Sequence, residues 1–597
     1  MADHSIRIDR NLEMTTRDGV TLRADVVRPD ISTKVPAIVS RTPYDKNAQF
    51  TMNAYCPPYT AAQAGYAYVF QDIRGRYASE GEWDFVNLRE ANIDDGYDTI
   101  EWVASQDWCD GNVTMAGGSY VGVTQISAAL ADPPSLKAIA PSLLGISPSR
   151  SLSHTLPLES MTVGWMAGLA VDRLIKLLPT GDANPMDLLK ALEAMTHPEK
   201  TSAAMPLNDL LVLDSIGMPS YGEVDALVSN VAGDFGLERI RIPALWTNGW
   251  YDNAGGAESF TQMRSTGATE LARSETCVIM GAWTHNYALA FVGALGLGAL
   301  GSAAGAGVPQ LHLKFYDRHL RGADEKLAPV RYFVMGAKTW READDWPIPG
   351  TEFRRYYLRS NGHANSAAGD GRLSLDTPSE NEPPDVIRYD PSEPVPSWGF
   401  RVMYTGGTTV AGPFEQTRVE KRSDVLVYTS EPFEQDTEVA GDIDLHLFIS
   451  STAPDTDFVA KLCVVWPDDT SINLADGQLR ARRRNGPGTD TLLEPNRVTP
   501  LTVELGPTGY LFEKGMRLRV QVTSSAFPHL ARNTNTGNAV EQDADGVPCE
   551  NTILHDASNA SFVVVPVQPN PGPMAPITHL FGGATDVSRP DGPRRRT

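Results

Sequence analysis

The stretch from residue 111 to 124, GNVTMAGGSYVGVT, decides the fold. Val113, Thr114 and Met115 read as a short buried strand, Ala116-Gly117-Gly118 as a sharp turn, and Gln125 to Ala131 as a small-residue helix. A serine at such a strand–turn–helix corner, here Ser119, is held on a tight elbow with its hydroxyl in the open. Strand and helix backbones pass close to it, so its neighbours must be small, and Gly117, Gly118 and Gly122 supply that. The general pattern is G-x-S-x-G. Here the second glycine comes one residue late, at Gly122, with Val121 in its usual place, so the spacing alone also fits an ordinary Gly-rich turn.

The flanking sequence repeats the same alternation. Residues 6–30 alternate around a turn at Arg17-Asp18-Gly19 and predict a β start. Val35 to Ser40 and Ala67 to Gln71 are short continuous apolar runs, the mark of strands covered on two faces. A helix is expected between them, and another over Asn92 to Gln106. Leu136 to Ala140 predicts a further strand. This β-α order implies a mostly parallel sheet wrapped by helices. From about Leu144 to Glu238 the pattern is helical, with apolar spacing over Met161 to Leu178, a helix opened by Pro185, and a third opened by Pro206. Such an insertion reads as a cap. The β-α order resumes with strands at 244–248, 276–280 and 330–335 and helices at 259–265 and 311–320. After about Thr351 only short alternating strands remain, which predicts a β-sandwich or jelly roll. The expected divisions are 1–144 and 241–350 for the α/β domain, 145–240 for the cap, 351–568 for the β domain, and 569–597 for a disordered Pro/Gly-rich tail.

The bulk numbers exclude several classes. A chain of 597 residues suggests several domains. The formal net charge of −23 argues against nucleic acid or an anionic membrane as partner. The five cysteines are odd in number, far apart and without a C-x-x-C pair, so neither a zinc site nor a disulfide framework is expected. With no apolar run near the first residues, this favours the cytoplasm. Residues 288–308 are uncharged and long enough for a membrane span, but Gly and Ala dominate them, so a buried segment near the site is the expectation.

A serine alcohol is a poor nucleophile at neutral pH. It needs a histidine to take its proton and a carboxylate to orient that histidine. Asp252 follows the strand 244–248 in WTNGWYDN, at the end where α/β sites gather, although a loop aspartate there could equally cap the next helix. His285 follows the strand 276–280 in MGAWTHNY. Of eleven histidines, only His285, His312 and His319 lie in the sheet-forming half after Asp252, and the last two share one helix and read as structural. An oxyanion needs two donors. The Tyr120 N–H, just after Ser119, is one candidate. The hydroxyl of Tyr44, in the loop after the early strand, is the other, with a packed loop tyrosine as the plain alternative. Trp165 in the cap is a candidate apolar wall for substrate and equally a candidate for cap core.

These residues fall within a wider pattern. RDGVTLRADVVRPD (17–30), RTPYDK (41–46), QDIRGRYASEGEW (71–83), WCDGNVTMAGGSYVGVTQ (108–125), GWYDN (249–253), WTHN (283–286), KFYDRHLRG (314–322), YDPSEPVPSWG (389–399) and ARNTNTG (531–537) occur in order along nearly the whole chain. With them the chain resembles the CocE/NonD-type serine hydrolases, the group of cocaine esterase, the α-amino acid ester hydrolases and the X-Pro dipeptidyl peptidases. Their own elbow reads G-x-S-Y-x-G, so Val121 is no departure among them. The resemblance implies an α/β-hydrolase domain with an inserted helical cap and a C-terminal jelly roll. It implies Ser119, Asp252 and His285 as a triad, Tyr44 and the Tyr120 N–H as oxyanion hole, no metal or cofactor, a small-molecule ester as substrate, and a homodimer. Two departures touch the pocket: Ala254 stands where a bulky aromatic is usual, and the loop after His285 is replaced by the Gly/Ala-rich segment. The expected activity is hydrolysis of small carboxylic esters through an acyl-enzyme. Cleavage of amino-acyl esters or peptides is the alternative, and would need carboxylates such as Asp172 or Asp209 to hold a substrate ammonium.

Overall fold

The computed structural model describes residues 5–48, 55–84, 92–144, 159–197, 235–252, 255–285, 289–378, 382–401, 411–486, 489–539 and 542–575, with isolated positions between 205 and 223. The first sheet is built from β1 (Ile6–Thr15), β2 (Thr21–Pro29), β3 (Val35–Thr42), β4 (Ala67–Asp72), β5 (Cys109–Gly118), β6 (Leu136–Ser142), β7 (Leu245–Tyr251) and β8 (Cys277–Thr284). After a hairpin of β9 (Phe291–Val292) and β10 (Leu295–Gly296), it is completed by β11 (Val330–Val334) and β12 (Thr339–Ala343). Its spatial order is β1-β2-β4-β3-β5-β6-β7-β8-β11-β12. Pairing is parallel from β4 through β11 and antiparallel at both edges. The continuous apolar runs are explained by position: β3, β4, β7, β8 and β11 are buried at every residue. The chain leaves β3 for β4 on one side and later sets β5 on the other. The loops after β3 and β5 therefore diverge, and a crevice opens at their carboxyl ends.

Among the described residues, the helices before the second sheet are α1 (Pro58–Gln63), α2 (Ile93–Ala104), α3 (Tyr120–Leu130), α4 (Glu159–Leu177), α5 (Pro185–Thr196), α6 (Gly256–Thr266), α7 (Glu270–Glu275) and α8 (Val308–Arg321). α3 starts five residues earlier than the small-residue run suggested, directly after Ser119. Between β6 and β7, α4 lays Val163, Ala167, Ala170 and Leu174 against Ala191 and Ala194 of α5. α5 opens as its sequence indicates, with Pro185 at its first turn and Asn184 accepting the Met186 N–H at 3.0 Å. The third cap helix expected from Pro206 lies outside the described residues.

A second, 11-stranded sheet begins at Glu352–Arg359 and forms the C-terminal β domain. The two sheets meet through backbone and side chains. Met335 N–H donates to the Gly509 carbonyl at 2.8 Å, and the Met335 carbonyl accepts the Leu511 N–H at 2.9 Å. Tyr251 donates to the Asn473 carbonyl at 3.2 Å, and Arg341 pairs with Glu438 at 2.9 Å. The Gly/Ala-rich segment serves the same junction. Gly301 and Leu300 carbonyls accept the indoles of Trp283 and Trp340, and Ala294 N–H reaches the Pro413 carbonyl. Among the described residues no helix is long and apolar enough to cross a membrane. Order also runs past the expected start of the tail at Pro569. Met574 bridges Arg341 on β12, and Ala575 donates to the Trp340 carbonyl at 2.9 Å. The unpaired rim of an edge strand supplies the reason. Residues 576–597 lie outside the description.

His312 and His319 are structural. His312 is buried on α8 with its Nε2 3.0 Å from Thr247 Oγ1. His319 packs its ring on Phe315 at 4.5 Å. Burial pushes His312 down to about 3. An unfolded chain takes up that proton near pH 6.5, so it binds more protons than the fold below that pH. This contribution to stability is therefore full above about pH 6.5 and is lost on acidification at up to about 1.4 kcal/mol per pH unit. His312→Phe should flatten the pH dependence of urea unfolding between about pH 6.5 and 5 by up to that amount; an unchanged slope would contradict the neutral, buried assignment.

Candidate active site

Because β5 ends at Gly118 and α3 begins at Tyr120, Ser119 alone makes the corner. Its backbone lies at φ 59°, ψ −127°. A non-glycine residue held in such a region costs roughly 1–3 kcal/mol and persists only where its surroundings fix it. Here Ser119 N–H donates to the Ser142 carbonyl of β6 at 2.9 Å. Gln125, on the next turns of α3, donates to the Gly117 carbonyl and accepts the Ala140 N–H, each at 2.9 Å. Gly117 is at φ +133°, and a Cβ there would lie 2.2 Å from Val121 Cγ1. Val121, in the place of the usual second glycine, thus fills the space that Gly117 leaves empty.

The loop after β3 brings Tyr44 to the same corner. Thr42 Oγ1 accepts the Tyr44 N–H at 3.0 Å. Asp72, at the end of β4, accepts the N–H groups of Lys46 at 2.7 Å and Ala78 at 3.2 Å. Lys46 Nζ lies 3.6 Å from Asp25 and 3.7 Å from Asp72. Burial pushes Asp72 up to about 6, against the two backbone donors and Lys46. The Tyr44 hydroxyl accepts the Trp165 indole N–H at 2.9 Å and is within hydrogen-bonding reach of the Ser119 hydroxyl. Burial raises this phenol above its ordinary range, with Trp165 and Ser119 pulling the other way, so it stays protonated and able to donate. The ring of Tyr44 stands edge-on to that of Tyr120, 6.2 Å between centres. As the first residue of α3, Tyr120 has no intrahelical acceptor for its N–H.

Asp252 and His285 follow β7 and β8 at the same carboxyl end of the sheet. His285 Nδ1 is 2.8 Å from Asp252 Oδ1, with Asp252 fully buried and His285 partly open. A carboxylate only accepts, so this contact assigns the proton to Nδ1 and leaves Nε2 as the basic nitrogen. The strands that lead to Asp252 and His285 approach closely at Gly249, where a Cβ would lie 2.2 Å from the Trp283 carbonyl oxygen. Among the described residues Ser119 and His285 share no hydrogen bond.

Trp165 is half-buried and packs with Met166, Leu169, Tyr44 and Trp83. Three neighbours escaped the sequence reading. The Tyr120 hydroxyl accepts Trp83 and Asn92 at 3.4 Å each. Arg76 is buried and bridges loop and cap. Trp83 and Arg76 lie in QDIRGRYASEGEW, whose crowded charges and aromatics were the available signal. Of the cap carboxylates, Asp172 already accepts the Tyr77 N–H at 3.0 Å and faces Lys176 at 3.2 Å. Asp209 and Ala254 lie outside the described residues.

The chain is similar to several known proteins. Residues 18–287 match the family model of the X-Pro dipeptidyl-peptidase (S15 family), and residues 321–564 match the X-Pro dipeptidyl-peptidase C-terminal non-catalytic domain. Cocaine esterase of Rhodococcus sp. (strain MB1 Bresler) is 34% identical over 595 residues, covering 95% of this chain and 100% of the relative. Among solved structures, an aminopeptidase from a marine sediment archaeon, Thaumarchaeota archaeon, superposes with a TM-score of 0.74 at 22% identity, covering 95% of this chain and 96% of that one. An α-amino acid ester hydrolase superposes at 0.71 and 21% identity, covering 95% and 97%; these two show the shared fold. At 34% identity along nearly its full length, with the S15 model over the elbow, the chain belongs to the cocaine esterase family of serine hydrolases.

Proposed function

We propose that the protein hydrolyses small carboxylic esters through an acyl-enzyme, with Ser119 as nucleophile, His285 as general base and Asp252 as its orienting acid. The observation that carries this reading is the 2.8 Å Asp252–His285 bond placed at the same sheet end as the strained Ser119 elbow. On substrate binding the Ser119 hydroxyl turns to His285 Nε2; catalytic bonds of this kind tighten when substrate binds. Oγ attacks the carbonyl while Nε2 takes its proton. The tetrahedral oxyanion sits between the Tyr44 hydroxyl and the Tyr120 N–H. His285 returns the proton to the leaving alcohol, then deprotonates the water that cleaves the acyl-enzyme. No step calls for a metal or cofactor, and the protein works as a cytoplasmic enzyme, singly or as a homodimer.

The ester reading is preferred to an amino-acyl one because Asp172 is already committed to Tyr77 and Lys176. An amino-acyl ester and its des-amino analogue should be hydrolysed with similar kcat/KM; a large preference for the amine would reverse the choice. Ser119→Ala should fold as the parent does, lose fluorophosphonate labelling and fall to near-background turnover. More than a few per cent of the activity remaining would sink the assignment. Tyr44→Phe should lower kcat by about 10²–10³ with labelling retained; an unchanged rate would return Tyr44 to a packing role.

A further inference from the structure

We infer that Trp165 is a positioning residue for the oxyanion hole. Through its indole N–H, the cap helix α4 aims and polarises the Tyr44 hydroxyl. This rests on the reading of Tyr44 as an oxyanion donor.

An indole N–H can only donate, and a phenol has one proton with two lone pairs. At 2.9 Å the Tyr44 oxygen must therefore be the acceptor from Trp165. One lone pair is taken on the cap side, so the single Tyr44 proton must point away from Trp165. A hydroxyl that accepts one hydrogen bond also donates a stronger one. Trp165 thus does two things that an apolar wall does not: it fixes the direction of the O–H and strengthens it as a donor.

The contact depends on holding α4 against the loop after β3, and Arg76 does this. Its Nε donates to the carbonyl of Pro43, the residue before Tyr44, at 3.0 Å. Its Nη1 donates to the carbonyl of Leu169, one helical turn beyond Trp165, at 2.7 Å. The guanidinium also lies over Trp83, 4.8 Å from the ring centre. On the same face of α4, Asp172 takes the Tyr77 N–H. Arg76 and the Trp165–Tyr44 bond therefore fasten helix and loop at two points. The oxyanion donor is built from a strand loop of the α/β domain and a cap helix together, and is complete only with the cap seated.

The test uses Trp165→Phe and Trp165→Leu, each alone and combined with Tyr44→Phe, assayed on a p-nitrophenyl ester with thermal melting and fluorophosphonate labelling in parallel. Phe keeps an aromatic wall and Leu does not, but both lack the N–H. Both should lower kcat by a common factor of about three to ten, the worth of one hydrogen bond, with any difference between them confined to KM. In the Tyr44→Phe background neither should lower kcat further. A Trp165→Phe variant with wild-type kcat, or a loss that persists undiminished without the Tyr44 hydroxyl, would overturn the inference while leaving the serine hydrolase reading intact. Absence of Ser119 labelling in the parent would overturn both.

Discussion

The left-handed backbone of Ser119 is the constraint around which the α/β domain is arranged. At φ 59° the serine stands off both strand and helix, and its side chain makes no capping bond to the helix that follows. The surroundings hold that conformation through α3. Gln125 reaches from the helix to a carbonyl of β5 and an N–H of β6. Thr124, its neighbour, donates to the Arg41 carbonyl of β3 at 3.0 Å. One turn of helix is thus bonded to three adjacent parallel strands. The elbow can exist only if those strands are paired in register, so the geometry of Ser119 is a property of the whole sheet. An energy of roughly 1–3 kcal/mol is easily held by this many bonds, each worth about 0.5–1.5 kcal/mol net.

The neighbouring loops are fixed by a different means, buried charge. Lys46, Asp25 and Asp72 sit almost wholly out of water, as does Arg76. Removing ions from water costs about as much as their attraction returns, so such groups add little to stability. Direction is what they supply. Asp72 accepts one N–H from the loop bearing Tyr44 and one from the loop bearing Arg76. Those loops leave the ends of adjacent parallel strands, where no ladder bonds continue to hold them. A carboxylate with two fixed backbone donors substitutes for the missing ladder, and its upward shift to about 6 reflects how strongly it is shielded from solvent.

This division explains what could be read from the sequence. The apolar runs of β3, β4 and β8 and the spacing of α4 and α5 are local signals, and they mark strands and cap helices correctly. Ser119, Asp252 and His285 each follow a readable strand. Harder to read were strands whose buried positions are polar. Ser471–Arg480 holds Asn473, Asp476 and Arg480 in its interior. These pair with Gly399, Arg401 and Asp457, residues remote in the chain, so the strand shows neither alternation nor an apolar run. The fifteen-residue strand Thr437–Ser451 alternates in burial only over its second part, so only that part carries a period-two signal. Start points also shifted where one residue serves two elements: α3 begins at Tyr120 because the turn is a single residue.

The same reasoning separates the parts of the site that carry chemistry from those that aim it. Ser119, Asp252 and His285 each sit directly behind a strand whose pattern is local, and their chain order is enough to propose roles. Their supports connect residues far apart: Tyr44 to Trp165 across 121 positions, Arg76 to Leu169 across 93, Tyr251 to Asn473 across 222. No periodicity records such a pair, because each member fits its own element as ordinary surface or core. Trp165 illustrates this most clearly. On α4 it is one more aromatic residue beside Met166, and as a sequence feature it is equally a wall or a piece of cap core. Only when the helix is laid over the loop after β3 does its N–H find an acceptor. The cap's contribution to the reaction then follows from a hydrogen bond rather than from the shape of a pocket.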